Sequence, residues 1–152
     1  DSKKECHCTP HQIQNYISRI SGPLLDRIDI HVEVPNVQYK DLTSDSACES
    51  SEEIREEVTK AREIQLKRFR GLKYSTNSRM STKQIKKHCS LDSQAEELLH
   101  QAMTELNISA RGYNKILKVG RTIADLDHSD TVRLEHISEA VQYRNLDRDL
   151  WK

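Results

Sequence analysis

Apolar residues recur every three or four positions along most of this chain, the spacing that places them on one face of an α-helix. The pattern predicts a first helix over residues 9–20, with Pro10 in its opening turn and Gly22-Pro23 as the break after it. Ser50 with Glu53, Ser81 with Gln84 and Ser93 with Glu96 have the spacing of helix-capping pairs. The later helices are therefore predicted to cover residues 50–70, 81–88, 93–107, 110–126 and 134–141.

One segment has a different pattern. Apolar residues at 28, 30, 32 and 34 alternate with polar residues, which predicts a β-strand that ends at Pro35. A single strand cannot pair its own backbone groups. We therefore expect residues 1–35 to be the trailing edge of an incomplete domain, the last helix and strand of an α/β core whose other strands lie upstream.

The remaining chain divides by composition. Residues 36–51 are polar with little periodicity, which is typical of a linker. Residues 52–146 form the predicted helical domain, and residues 147–152 form a tail. The fold class predicted for the whole chain is mainly α.

The composition excludes several classes of protein. Hydrophobic residues make up 35% of the 152 and aromatic residues only 5%, which argues against a large enzyme core and against an aromatic-rich sandwich. No apolar run is long enough to cross a bilayer, so no membrane partner is expected. Four cysteines in a chain of this length are more typical of free thiols in a reducing cytoplasm than of a disulfide scaffold. We therefore expect a cytoplasmic protein.

The charges balance overall but not locally. The chain has 24 Lys+Arg and 24 Asp+Glu, yet residues 60–88 contain a concentration of basic residues immediately after the glutamate-rich residues 49–57. Basic residues close in sequence can contact nucleic-acid phosphates. The candidates are Lys67, Arg68, Arg70 and Lys73. The alternative is a solvated face that the glutamates neutralise within the fold.

Cysteine and histidine near the start of the chain raise the possibility of zinc. Cys6 and Cys8, with His7 and His11 nearby, supply ligand types that zinc prefers. A structural zinc site needs four ligands, and two cysteines one residue apart are a weak signal. Residues 29, 31 and 33 could imitate a metal triad, but alternating polar residues more often form the exposed face of a strand. His88 beside Cys89 has no identifiable acid to orient it.

Two arginines occupy unusual positions. Arg27 lies in an apolar turn with Asp26 and Asp29 beside it, and Arg111 follows Ser109 at the predicted start of a long helix. A guanidinium supplies five donors in a planar fork suited to phosphate oxygens. The alternatives are a local ion pair for Arg27 and a solvated side chain for Arg111.

Several motifs together resemble the magnesium-chelatase-like AAA+ ATPases of the YifB/ComM family. They are RISGPLLDRID at 19–29, HVEVP at 31–35, AREIQ at 61–65, SARGY at 109–113, RTIADL at 121–126 and HISEAVQYR at 136–144, preceded by CHCTP at 6–10. Gly120 stands where this family leads us to expect alanine. The resemblance implies an AAA+ lid-type helical bundle, preceded by the last helix and strand of the ATPase core.

The resemblance also implies roles for the two arginines. Arg27 matches the arginine finger, which reaches the ATP of the neighbouring subunit, and Arg111 matches sensor 2, which touches the ATP phosphates. It further implies ATP with Mg²⁺ as the ligands of a longer parent protein, which is expected to form a homo-oligomeric ring, a hexamer. It also implies an upstream cysteine pair that would complete a zinc site with Cys6 and Cys8.

The activity implied is work on DNA, such as branch migration during recombination of imported DNA. Neither a phosphate-binding G-x-x-x-x-G-K-[ST] loop nor an apolar strand ending in an Asp-Glu pair occurs here, so we expect the 152 residues alone not to hydrolyse ATP. Two other functions stay open: the ATPase subunit of a magnesium chelatase and a free-standing helical interaction module.

Overall fold

Seven α-helices make up most of the structure, a computed structural model that describes residues 6–36 and 49–144. A 3₁₀ turn, Asn77–Arg79, lies between the third and fourth helices. The helices are α1 Pro10–Ile17, α2 Gly22–Leu25, α3 Ser51–Arg68, α4 Thr82–His88, α5 Ser93–Glu105, α6 Ala110–Leu126 and α7 Leu134–Gln142. The prediction of a mainly α fold is confirmed. Most of the predicted linker and the whole predicted tail lie outside the described residues, so the division into domains stays a prediction.

Local capping interactions fix where the helices begin. The backbone N–H of Ser50 donates to Glu53 Oε2 at 2.7 Å, and that of Ser81 donates to Gln84 Oε1 at 3.1 Å. Both helix starts agree with the prediction from capping pairs. The start of α5 differs, because Asp92 rather than Ser93 is the N-cap and accepts from the N–H of Ala95 at 2.8 Å. The Asp92 carboxylate performs the capping that the sequence pattern assigned to the next residue.

The strand predicted over residues 28–34 is not formed. The described residues contain no β-strand, only an isolated bridge between Leu91 and Val132. Its backbone contacts are not those of a sheet: the N–H of Ile28 donates to the carbonyl of Leu25 at 3.0 Å, and that of His31 donates to the carbonyl of Tyr143 at 2.8 Å. Val34 at its end is 82% exposed. Alternation alone does not make a strand where the described chain offers no neighbouring strand to pair with it.

The hydrophobic core surrounds α6, which packs against α3, α4 and α7, while α5 packs against α7. Fully buried side chains from three helices meet there, among them Leu99, Ile116 and Ile137. α3 contributes little, because Ala61 and Gln65 are its only buried residues and its first ten residues are exposed. The amphipathic face of α6 therefore organises the helical domain.

None of the described helices combines the length with the apolar character that crossing a bilayer would require.

Candidate functional site

The segment that carries Arg27 contacts the start of α6 through the carboxylate of Asp26. Ser109, the N-cap of α6, accepts from the N–H of Gly112 at 3.1 Å and donates its hydroxyl proton to Asp26 Oδ1 at 2.8 Å. Arg111 Nη1 lies 3.8 Å from Asp26 Oδ2. A carboxylate at the N-terminus of a 17-residue helix is favourable, since the free N–H groups carry partial positive charge. Asp26 therefore attaches the N-terminal segment to the helix that carries Arg111.

Further contacts hold the same segment along the helical domain. Lys115 Nζ lies 2.7 Å from Asp29 Oδ1, one turn of helix beyond Arg111. The guanidinium of Arg144, which is buried, donates to the carbonyl of Ile28. Residues 26–31 are thus held both at the start of α6 and at the end of α7.

Arg27 differs from its neighbours because its side chain is exposed and makes no hydrogen bond or ion pair with the described residues. The local ion pair considered from the sequence is not formed. Asp26 contacts Ser109 and Arg111, and Asp29 contacts Lys115. The Arg27 guanidinium is therefore directed to solvent with its donors available for an anion.

Arg111 is also accessible, with 59% of its side chain exposed. Its ion-pair partner among the described residues, Asp26, lies at the limit of ion-pair distance, and such exposed pairs contribute ~1 kcal/mol or less. The guanidinium lies in the first turn of α6, where the helix dipole attracts anions. A phosphate group could displace the Asp26 contact at little cost. Both guanidinium groups are therefore accessible donors of the kind that bind phosphate oxygens.

A buried ionic network lies at the other end of α6, around Asp125. The carboxylate, fully buried, accepts from Arg68 Nη1 at 2.6 Å and from Asn77 Nδ2 at 2.7 Å, and Arg68 Nη2 donates to its other oxygen. Arg121 Nε donates to Asp125 Oδ1 at 3.1 Å, and the rest of its guanidinium donates to the carbonyls of residues 129 and 130. Charge-assisted bonds of this kind join α3, the 3₁₀ turn and α6.

This network corrects one sequence-based prediction. Arg68 was a candidate phosphate contact, but only 12% of its side chain is exposed and its guanidinium is held by Asp125 and Asn77. A paired and buried cation is not available to DNA. No local pattern indicates this pairing, because Arg68 and Asp125 lie 57 positions apart.

Three other predicted phosphate contacts lie on the surface. Lys67, Arg70 and Lys73 are exposed and make no ion pair with any described residue. The aromatic residues near them are not free to stack on bases. Phe69 is buried, and the ring of Tyr74 packs against it with centroids 5.4 Å apart.

Burial shifts the titration of the groups behind this surface. Desolvation raises the pKa of the Cys89 thiol to about 11 and is the main cause that lowers the pKa of His88, with Arg68 contributing to the latter. Burial also lowers the pKa of Arg121, against the opposing effect of Asp125. A thiol with a raised pKa is a poor nucleophile. Cys89 is a buried core residue, in keeping with the absence of an orienting acid in the sequence.

Cys6 and Cys8 lie close together, but no further metal ligand lies beside them among residues 6–36 and 49–144. Both thiols are free and exposed, and a backbone hydrogen bond from Cys8 is the main cause that lowers the pKa of Cys6. The part of the chain that the structure describes brings together no group of three or more His, Cys, Asp or Glu side chains that could hold a metal. Asp29 is paired with Lys115, and His31 is buried. The described residues therefore do not support zinc binding.

Two family profiles match the chain in succession. Residues 1–42 match the family described as magnesium chelatase, subunit ChlI, and residues 48–144 match the family described as magnesium chelatase, subunit ChlI C-terminal. The second match covers most of the described helical domain. Members of this AAA+ family generally bind ATP with Mg²⁺ and typically form oligomers.

Curated relatives agree with the profiles. The chain is 40% identical over 146 residues to "Competence protein ComM" of Haemophilus influenzae, covering 95% of this chain and 28% of the relative. It is 38% identical over 143 residues to "Uncharacterized protein YifB" of Escherichia coli, covering 93% and 27%. A Mycobacterium tuberculosis protein, "Uncharacterized protein Rv2897c", is 27% identical over 141 residues.

The chain thus spans somewhat more than a quarter of the length of the curated relatives it matches, about 28% of the first. Matches over nearly its whole length, together with the profile over residues 48–144, lead to one assignment. This chain belongs to the magnesium-chelatase-like AAA+ family, with the ChlI C-terminal domain as its helical part.

Proposed function

We propose that this chain is the lid and arginine-finger segment of an ATP-driven AAA+ motor that acts on DNA in the cytoplasm. The observation that carries the proposal is the arrangement around Asp26. Its carboxylate is occupied by Ser109 and Arg111, while the adjacent Arg27 guanidinium is exposed and has no partner among the described residues. One short segment therefore carries an available cation and is attached to the start of the helix that carries a second.

The proposed roles follow from the chemistry of the two side chains. When bound, ATP with Mg²⁺ supplies the phosphoryl group to be transferred, and a preorganised guanidinium stabilises the charge that spreads over its oxygens. Arg111 contacts the phosphates bound in its own subunit. Arg27 completes the site of the neighbouring subunit in a homo-oligomeric ring, proposed to be a hexamer. The contacts of Asp26 with Ser109 and Arg111 then connect the segment that carries Arg27 to the helix that carries Arg111.

DNA is proposed as the substrate of the longer protein. The support is the name of one relative, Competence protein ComM, which is 40% identical to this chain. The corresponding work is remodelling of DNA, such as branch migration during recombination of imported DNA in natural transformation.

ATP hydrolysis by the full-length protein tests the arginine roles. Arg27→Ala is expected to reduce turnover by ~10³-fold or more, the magnitude that arginine fingers supply elsewhere. Arg111→Ala is expected to reduce turnover and to weaken nucleotide binding. Arg133→Ala is the matched control. Arg133 is a half-exposed arginine that pairs with Asp127, and it is distant in sequence from both Arg27 and Arg111. Unchanged turnover in Arg27→Ala would refute the finger role.

Mixed rings separate action in the neighbour from action in the same subunit. Neither Arg27→Ala nor Arg111→Ala rings should hydrolyse ATP efficiently alone. If Arg27 acts on the neighbour's site, mixing the two variants creates some interfaces with both arginines, and activity should reappear. A mixture as inactive as its components would contradict action in the neighbouring subunit.

A second candidate is the ATPase subunit of a magnesium chelatase, which the description of the matching profiles favours. Two measurements distinguish the candidates. Stimulation of ATP hydrolysis by duplex or branched DNA would support a DNA motor. Insertion of Mg²⁺ into a porphyrin by the complete enzyme would support the chelatase.

A further inference from the structure

We infer that the helical domain itself binds the phosphate backbone of DNA through a groove formed by α4 and the residues that follow α3. We call this surface the basic groove and define it by Arg70, Lys83, Lys86 and Lys87, which line a cavity of about 740 Å³. The inference rests on the proposed action on DNA for its choice of polyanion. It adds a site that is separate from the two arginines assigned to ATP.

The charge on this surface is uncompensated. Between Glu63 and Asp92 the sequence contains no acidic residue. The described residues that line the groove include no carboxylate, and its four defining side chains make no ion pair within the described part of the chain. Like charges three or four positions apart on a helix repel by ~0.2–0.5 kcal/mol per pair. Lys83 with Lys86 and Lys87 therefore destabilises α4 unless an anion is bound.

The helix dipole does not account for all three lysines of α4. Lys86 and Lys87 lie in the last turn of α4, where the helix dipole favours cations. Lys83 lies in the first turn, where the dipole disfavours a cation, yet it shares their face of the helix. Ile85 is buried on the opposite side. The face turned to solvent is basic along the whole length of α4.

The glutamates before this region do not neutralise it, contrary to one interpretation of the sequence. α3 is a continuous helix over Ser51–Arg68, and a helix rises 1.5 Å per residue. Glu57 and Lys67 are therefore separated by ~15 Å along the axis, which exceeds the Debye length of ~10 Å at 0.1 M salt. Four of the five glutamates of α3 thus lie in its first half, and Glu63 is the one acidic residue of its second half.

The basic surface continues beyond the groove. Lys73 and Arg79 line an adjacent cavity of about 690 Å³, and Tyr74 in that cavity hydrogen-bonds to Gln84, which lines the basic groove. Two adjoining cavities thus present cations over an extended path. Such a path suits a polymer of phosphates better than a single phosphate group.

The chemistry favours contact with backbone rather than with bases. Tyr74 and Phe69 pack on each other, so no described aromatic on this surface is free to stack. Binding should therefore be independent of sequence and strongly dependent on salt. Duplex DNA, with its higher charge density, should bind more tightly than a single strand.

The test measures binding of a fluorescein-labelled, mixed-sequence duplex to the 152-residue chain by fluorescence anisotropy. Four phosphate contacts predict a slope of about −3.6 when the logarithm of the association constant is plotted against the logarithm of the salt concentration. This slope corresponds to ~150-fold weaker binding at ~200 mM than at ~50 mM salt. The triple variant Lys83→Gln, Lys86→Gln and Lys87→Gln should reduce the slope to about −1 and weaken binding at ~0.1 M salt on the order of 10²-fold. A slope near zero would overturn the inference.

The matched control is the triple variant Arg55→Gln, Lys60→Gln and Arg62→Gln, which removes the same charge from the exposed surface of α3. It should change affinity by less than ~3-fold, since non-specific attraction depends on local charge. Equal losses in both variants would contradict a defined groove. Both variants replace exposed residues, and unchanged circular dichroism confirms that the helices persist.

Two further measurements separate this inference from its alternatives. Phosphatidylserine-containing vesicles replace the duplex at the same salt, and binding to vesicles but not to DNA would overturn the choice of DNA. In the full-length protein, Arg27→Ala should bind the duplex normally, while the α4 triple variant should keep basal ATP hydrolysis. Loss of duplex binding by the α4 variant alone supports the groove even if the arginine assignments fail.

Discussion

Replacing Asp125 by alanine should destabilise the helical domain more than any exposed acidic substitution. The carboxylate is fully buried and accepts hydrogen bonds from Arg68, Asn77 and Arg121. Its removal leaves two guanidiniums in the interior without their counter-charge. Arg121 keeps two backbone carbonyls as acceptors, but Arg68 keeps, among the described residues, the side-chain oxygen of Asn77 alone.

The expected loss is ~3–5 kcal/mol, the cost of removing one partner from a buried ion pair. A domain of this size has a free energy of unfolding of ~5–15 kcal/mol, so the variant would be marginally folded. One kcal/mol shifts the melting temperature of a small domain by ~4–8 °C, which predicts a fall of more than ~12 °C.

Urea denaturation of the 152-residue chain, followed by circular dichroism, measures the effect. Glu52→Ala is the control, because Glu52 is 75% exposed and lies 3.7 Å from an equally exposed Arg55. Its loss should cost ~1 kcal/mol or less. A double variant that also replaces Arg68 by leucine should recover part of the stability, since it removes one of the two unpaired cations.

A loss below ~1 kcal/mol for Asp125→Ala, equal to that of Glu52→Ala, would refute the reasoning. So would strict additivity in the double variant, because it would mean that Arg68 and Asp125 do not interact in the folded chain.

Three further predictions concern packing and buried chemistry. Gly112→Ala should destabilise the fold by ~1–3 kcal/mol, because its Cβ would lie 2.5 Å from Ile108 Cγ2. Gly120→Ala should change the free energy of unfolding by less than ~1 kcal/mol, since the atom nearest to the new Cβ is the terminal Ile137 Cδ1 at 2.9 Å and alanine favours the helix. Urea titration measures both variants, and a larger loss for Gly120→Ala than for Gly112→Ala would contradict these predictions. The protonated Cys89 thiol contributes stability that is fully present below pH 9.0 and lost as the pH rises to about 11, so the stability of wild type should fall more steeply there than that of Cys89→Ala. Parallel pH profiles of the two proteins would exclude that contribution.

Features set by neighbouring residues could be predicted from the sequence. The starts of α3 and α4 follow from residues three positions apart, and the apolar spacing of α6 and α7 locates the helices that build the core. The start of α5 was wrong by one residue because Asp92 and Ser93 are both good caps. Local chemistry decides such features, and no knowledge of the fold is needed.

Features set by distant residues could not be predicted. The strand over 28–34 depends on neighbouring strands, and the described residues provide none. The role of Arg68 depends on Asp125, which reaches it only when α3 packs against α6. The exposed state of Arg27 likewise depends on Lys115 and Ser109, which occupy the two aspartates that the sequence placed beside it.

The attachment of residues 26–31 has a mechanical consequence. Asp26 holds the first turn of α6, whereas Ile28 and His31 hold the end of α7 through Arg144 and Tyr143. A pull applied at the N-terminal segment is therefore shared between two helices that pack on each other, instead of peeling one helix from its free end. Separating the segment from the helical domain therefore requires two sets of contacts to break, those to the start of α6 and those to the end of α7.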